Sequence, residues 1–243
     1  MIYSEPRLLP CGDLAVSVEL ADEINREVNA RVLALEYLIQ QKAVPGITET
    51  LPTYRSLLVY YDPAVIGADE LHATLRALAA EARPEVLPPA RTVELPCAYG
   101  GELGFELEAA AAKLGLAPEE MVRLHAGADY HVYFVGFTPG LPYMTGMPER
   151  INIPRLVNPR TKTPPGSVAI GGVQCCIYSV ESPGGFWVLG RTPVRLYDPT
   201  AADPILLRAG DQVRFRPIER AEYDVIAAEV AAGRFQPRVT EAR

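Results

Sequence analysis

The sequence predicts an α+β protein: a small α+β domain over 1–84, a linker over 85–91 and a β-rich domain over 92–243. Three observations carry this. Apolar residues recur at helical spacing between runs of strand composition in the first third of the chain. A proline-rich stretch, Pro84-Glu85-Val86-Leu87-Pro88-Pro89-Ala90, interrupts the periodicity. From Tyr130 onward, short β-prone runs alternate with Gly and Pro, the pattern of a barrel or a sandwich.

Taken in order, Ala15 to Leu20 has strand composition, and Asp22 is the expected cap of a helix carrying Ile24, Val28, Val32, Leu35 and Ile39 on one side, stopped by Pro45-Gly46. Ile47–Leu51 and Ser56–Tyr61 read as strands, and a second helix starts at Asp69 with Leu71, Leu75 and Leu78 inward. After the linker, Thr92–Leu95 is strand-like, and helices are expected over Phe105–Leu114 and Pro118–His125, the second with Pro at its first position and Glu119-Glu120 near its positive end. Strands are expected at Tyr130–Phe137, Val168–Ile170, Cys175–Val180, Phe186–Leu189, Val194–Tyr197, Ile205–Leu207 and Gln212–Arg216. A helix near Glu219–Ala232 and a loose tail of ten residues close the chain.

Composition narrows the function. The 243 residues include 23 basic and 30 acidic side chains, a net charge of −7 that argues against nucleic-acid backbone binding. No run approaches the ~18 apolar residues of a membrane span, and Met1–Leu20 lacks an apolar signal core, so the reading is cytoplasmic with no membrane. Cys11, Cys97, Cys175 and Cys176 form no C-x-x-C, and His72, His125 and His131 are scattered, so neither a disulfide framework nor a metal site is expected. The standard phosphate loop, dinucleotide fingerprint, G-x-S-x-G elbow and H-E-x-x-H are all missing.

One region differs. Prolines number 23, about 9% against a usual ~5%, and many fall between Gly136 and Arg195. Between Thr138 and Val180 stand Arg150, Arg155, Arg160 and Lys162 against one acid, Glu149, a local reversal of charge. Prolines beside the arginines fix the backbone, so the side chains project from stiff segments suited to a small anionic substrate. Such a loop can also simply wrap a barrel with its arginines solvated, and that is the better reading for any single arginine. For the cluster, a long ordered loop inside a compact domain favours function. His125 and Cys175-Cys176 are secondary candidates, more often structural than reactive.

The run Tyr130-His131-Val132-Tyr133-Phe134-Val135-Gly136-Phe137-Thr138-Pro139-Gly140-Leu141-Pro142-Tyr143 carries a resemblance. With it go the Pro-Arg pairs at 154–155 and 159–160, Pro165-Gly166-Ser167-Val168, Ser182-Pro183-Gly184-Gly185 and Gly190-Arg191-Thr192-Pro193. Together they resemble the allophanate hydrolase subunit 1 / KipI family, and Gly12-Asp13, Tyr54–Leu57, Tyr99–Gly101, His125 and Gly210-Asp211 extend the match over nearly the whole chain. The resemblance implies a cyclophilin-like β-barrel as the carboxy-terminal domain. Its best-fitting branch implies a component of an ATP-dependent enzyme opening the cyclic amide of 5-oxoproline to glutamate, inactive alone. The implied partners are a PxpC-type (allophanate hydrolase subunit 2) protein and a PxpA-type protein, with ATP bound by the complex.

On the positions so marked, chemistry makes Arg155, Arg160, Ser167 and Gln174 the expected catalytic set. Tyr143, Lys162, Cys175, Arg191 and His125 are the expected substrate contacts. Two departures stand out. Gln174-Cys175-Cys176 replaces the family's usual Gln-Thr-Gly, adding bulk in the expected cleft, and Gly104-Phe105-Glu106-Leu107 replaces Gly-Pro-Asp-Leu, an expected effect on a helix start only. Family relatives leave two alternatives: an inhibitor of a histidine kinase, or a carboxyl-transfer component acting on a urea-like amide.

Overall fold

A computed structural model describes residues 1–241 as two compact units, Met1–Pro89 and one from Ala90 onward. In the first, β1 (Ile2–Pro10), β2 (Ala15–Ala21), α1 (Arg26–Lys42), β3 (Ile47–Pro52), β4 (Ser56–Tyr61) and α2 (Ala68–Glu81) follow one another. The strands form an antiparallel sheet in the order β1-β2-β4-β3. Val16, Val18 and Leu20 of β2 and Leu57 and Val59 of β4 face one core with Val28, Val32, Leu35 and Ile39 of α1 and Leu71, Leu75 and Leu78 of α2. Burying these side chains at ~25 cal/mol per Å2 drives the assembly.

Two expectations are corrected here. The cap of α1 is Asn25, whose side chain accepts from the Glu27 and Val28 amides at 2.8 and 3.3 Å. Asp22 instead pairs with the amino terminus, and Ile24 is exposed. The sheet also begins earlier than expected, with β1, an edge strand whose two prolines and charges hide it.

The second unit contains β5 (Arg91–Tyr99), α3 (Leu107–Leu114), α4 (Pro118–Ala126), β6 (Tyr130–Val135), β7 (Pro142–Thr145), β8 (Arg160–Thr163), β9 (Ser167–Gly171), β10 (Gln174–Ile177), β11 (Ser182–Gly184), β12 (Trp187–Arg191), β13 (Gln212–Pro217), α5 (Arg220–Ala231) and β14 (Arg238–Glu241). Seven strands close a barrel in the order β12-β9-β10-β7-β6-β13-β5, sealed by β5 against β12. The β5–β13 pairing is parallel, and β14 adds to the first half of the edge whose far end β12 occupies. β8 and β11 form a separate ribbon. Val93, Leu95, Tyr130, Val132, Met144, Ile170, Ile177 and Leu189 fill the barrel.

The final residues are thus paired in β14 rather than loose up to Glu241. Val194–Tyr197 and Ile205–Leu207 are not strands but meet in a single bridge, Tyr197 to Ile205. No helix of the described residues is long and apolar enough to cross a membrane.

Candidate functional site

Strands covered on both faces lose the usual alternation, and β9 (SVAIG) is buried at every position. Val168 and Ile170 of β9, Cys175 and Ile177 of β10 and Leu189 of β12 point into the barrel. Their neighbours Ala169, Cys176, Tyr178 and Val188 form a second apolar cluster with Leu141 and Phe186 on the outer face. The proline-rich segments cross this outer face and leave a recess of about 220 Å3. Cys176 and Tyr178 contribute its floor, Phe137, Leu141 and Tyr143 one wall, Arg155, Leu156 and Pro159 another, and Pro183–Phe186 the third.

Local geometry holds the walls. Phe137 has φ 65°, which a non-glycine residue adopts at a cost of ~1–2 kcal/mol, and the Thr138 amide donates to the Gly136 carbonyl across it at 2.8 Å. That tight turn presents the Phe137 ring, 65% exposed, at the rim. Tyr143 stacks on Phe134 at 4.4 Å. At Gly184 a Cβ would stand 2.0 Å from Tyr178 Oη, so only glycine admits that phenol.

The recess gathers part of the expected set. Arg155 lines it, donating from Nη2 to Gln174 Oε1 at 2.7 Å while its Cζ lies 4.5 Å from the Phe186 ring centroid. Tyr143 lines it too. Arg160 stands behind the Phe186 wall, where Nη1 donates to Glu106 Oε1 at 2.5 Å and Nη2 to the Phe186 carbonyl at 2.5 Å. Lys162 pairs at the surface with Glu181 at 3.1 Å. Ser167 and Arg191 face each other across β9 and β12, outside the recess lining, with Ser167 Oγ and Arg191 Nε buried without a hydrogen-bond partner. Arg155 is therefore the only expected cation that lines the recess.

His125 and Cys175 do not reach it. Both lie inside the barrel, where Tyr99 Oη meets His125 Nδ1 at 2.9 Å and Cys175 Sγ meets Nε2 at 3.6 Å. Tyr130 donates to the His125 carbonyl at 3.0 Å. Their polar character serves packing, because a buried imidazole must find partners at both nitrogens.

Burial holds the His125 pKa down from 6.5 to about 3. The unfolded chain takes up a proton there below about 6.5 while the folded chain does not, so this contribution to stability is present above 6.5 and fades as the pH falls towards 3. Wild type should lose ~2–3 kcal/mol from this group by about pH 4.5. A His125→Gln variant should show a flatter decline in its urea midpoint over that interval, and equal slopes would refute the assignment.

Burial also raises the Cys97, Cys175 and Cys176 thiols, whereas Cys11 is exposed. A disulfide-exchange reagent should therefore titrate one thiol quickly in the native chain and the other three only in denaturant. Two or more fast thiols would contradict the burial of the recess floor.

Glu106 is not legible in the sequence as a site residue. It precedes α3 as a cap residue yet makes no capping hydrogen bond; its carboxylate reaches Arg160 and accepts from the Val188 amide at 2.7 Å. Its replacement of the family's usual Asp thus does more than start a helix, and no local pattern announces a partner 54 residues away.

A closed barrel bearing a proline-walled recess, in a chain that also holds a four-stranded α+β unit, defines a class that sequence comparison identifies. The family model for the carboxyltransferase domain, subdomain C and D, matches residues 6–207, and the chain belongs to that family. It is 37% identical over 228 residues to the B-type component of 5-oxoprolinase from Bacillus subtilis (strain 168), covering 90% of this chain and 95% of that protein. It is 36% identical over 207 residues to the corresponding 5-oxoprolinase component of Escherichia coli O157:H7, covering 85% and 93%. The solved urea amidolyase of K. lactis shares the fold, with a TM-score of 0.81 at 23% identity over 98% of this chain and 16% of that one.

Proposed function

We propose that this chain is the PxpB-type component of an ATP-dependent 5-oxoprolinase, working in the cytoplasm with PxpC-type and PxpA-type proteins. The observation that carries this is its correspondence to two bacterial 5-oxoprolinase components over nine-tenths or more of their own length. The net reaction consumes 5-oxoproline, ATP and two waters and yields glutamate, ADP and phosphate. A lactam resists water because its nitrogen lone pair is delocalised. Transfer of phosphate to the amide oxygen, with loss of the N–H proton, removes that resonance; water then adds to the carbon and the ring C–N bond breaks to leave an acyl phosphate, which a second water hydrolyses to glutamate and phosphate.

This chain's contribution is positioning. Arg155 offers a planar fork to the substrate carboxylate, Gln174 orients that fork, and Phe137, Tyr143 and Phe186 shape an apolar slot for the ring. Lys162 and Arg191 lie outside the slot, where a role in the reaction requires assembly with the partner proteins, and Ser167 is buried away from it in β9. Likeness to urea amidolyases favours carboxyl transfer as the second reading.

Co-purification with the two partner proteins followed by a glutamate-release assay decides between them. ATP-dependent release without bicarbonate or a biotinylated carrier supports the first reading. A requirement for both supports the second.

A further inference from the structure

The charged groups around the recess are sorted by their partners. Glu106 and Arg160 are 16% and 19% exposed, so water screens their attraction poorly and each offsets part of the other's charge. Lys162 is compensated by Glu181. Arg155 has no carboxylate partner among the described residues; its contacts are the neutral Gln174 amide oxygen and the Phe186 ring. Both guanidinium groups still act on the recess floor, since each favours the ionised form of the Cys176 thiol against the effect of burial.

The Glu106–Arg160 pair is also a brace. Glu106 Oε2 accepts from the Val188 amide, while Arg160 Nη2 donates to the Phe186 carbonyl. The start of β12, and with it the ring under Arg155, is thereby tied at two points two residues apart.

We propose that Glu106 is a positioning residue of the recess: by offsetting the charge of Arg160 and bracing β12, it leaves Arg155 as the one cation lining the recess without a carboxylate partner and tunes the recess to a single carboxylate rather than a phosphate dianion. A guanidinium fork matches a carboxylate in geometry and charge, whereas a dianion taken out of water needs a second positive partner. The triphosphate of ATP does not fit this donor set and is engaged elsewhere in the assembly. The inference rests on the functional reading above only in taking 5-oxoproline as the carboxylate probe.

The test is calorimetric titration of the full chain with 5-oxoproline, with 2-pyrrolidinone (the same ring without the carboxylate) and with inorganic phosphate. Wild type should bind 5-oxoproline about tenfold more tightly than 2-pyrrolidinone, the usual scale of one charge-assisted pair. Glu106→Gln keeps an acceptor for the Val188 amide but releases Arg160. It should tighten phosphate binding about tenfold and shrink the preference for 5-oxoproline over phosphate. Arg160→Gln leaves Glu106 as an uncompensated anion and should weaken 5-oxoproline about tenfold with 2-pyrrolidinone unchanged.

A residue that merely held the fold would lower all three affinities together. A folded Glu106→Gln chain with unaltered selectivity overturns the proposal, as does a wild type indifferent to the carboxylate; if Glu106→Gln does not fold, Arg160→Gln decides. Failure of the wild-type complex to release glutamate would instead strike the functional reading and leave the carboxylate-against-phosphate comparison standing.

Discussion

Gly104→Ala is expected to destabilise the barrel unit by ~3–5 kcal/mol, seen as a fall of about 10 °C in its thermal midpoint. A Cβ at Gly104 would lie 1.9 Å from the Leu189 oxygen, 2.4 Å from the Leu189 carbon and 2.5 Å from the Gly100 nitrogen, all main-chain atoms that no rotamer change can move aside. The turn is also docked by its own hydrogen bonds. The Gly104 amide donates to the Gly100 carbonyl at 2.8 Å, the Gly100 amide to Leu189 at 3.0 Å and the Glu106 amide to Val188 at 3.1 Å. Making room for a methyl group means peeling 100–106 off β12. Gly101→Ala is the control: its Cβ would meet nothing within 4 Å, so only its left-handed φ of 54° is strained, at about 1 kcal/mol. Denaturation of both variants checks the prediction, and similar midpoints would contradict it.

Arg155→Met is expected to lower kcat/KM of the reconstituted complex for 5-oxoproline about 100-fold, more than the roughly tenfold net worth of the pair because methionine leaves the bound carboxylate desolvated and unpaired. Most of the loss should appear in KM, because the fork holds the carboxylate in both ground and transition states. The thermal midpoint should stay within about 1 °C of wild type, since Arg155 is exposed and takes part in no ion pair of the described residues. Arg155→Lys keeps the charge without the planar fork and should fall between the two. Steady-state kinetics beside a melting curve reads both quantities. An unchanged kcat/KM would remove Arg155 from the substrate contacts.

What the sequence discloses follows from how locally each feature is determined. The apolar stripe of α1 needs only its own residues, and Val28, Val32, Leu35 and Ile39 are all buried. Its cap is ambiguous in the sequence because Asp22 and Asn25 are both good capping residues; in the structure Asn25 stands at the cap, while Asp22 lies three residues further back and meets the amino terminus. β7, β8 and β11 are three or four residues long and carry or adjoin prolines, so their pairing comes from partners distant in the chain. β14 is exposed at every position and shows no alternation to read.

The recess follows the same rule. Arg155 and Tyr143 can be singled out from stiff proline-flanked segments, whereas the segregation of Arg160 behind Phe186 depends on Glu106, and the retreat of His125 and Cys175 into the core depends on which face of α4 packs against the barrel and which face of β10 closes inward. Cys175 and Cys176 illustrate the limit: adjacent and chemically identical, they end on opposite sides of one barrel wall.

The parallel seam between β5 and β13 has a consequence for biosynthesis. β5 starts at Arg91, and its lateral neighbours, Trp187–Arg191 and Gln212–Pro217, are translated about a hundred residues later. Until the ribosome has released that far segment, β5 offers two open edges and an apolar face to other nascent chains. Bringing such remote strands together is intrinsically slow. The first unit can mature while the remainder is still being made, whereas the barrel must wait, and in that interval chaperones matter most.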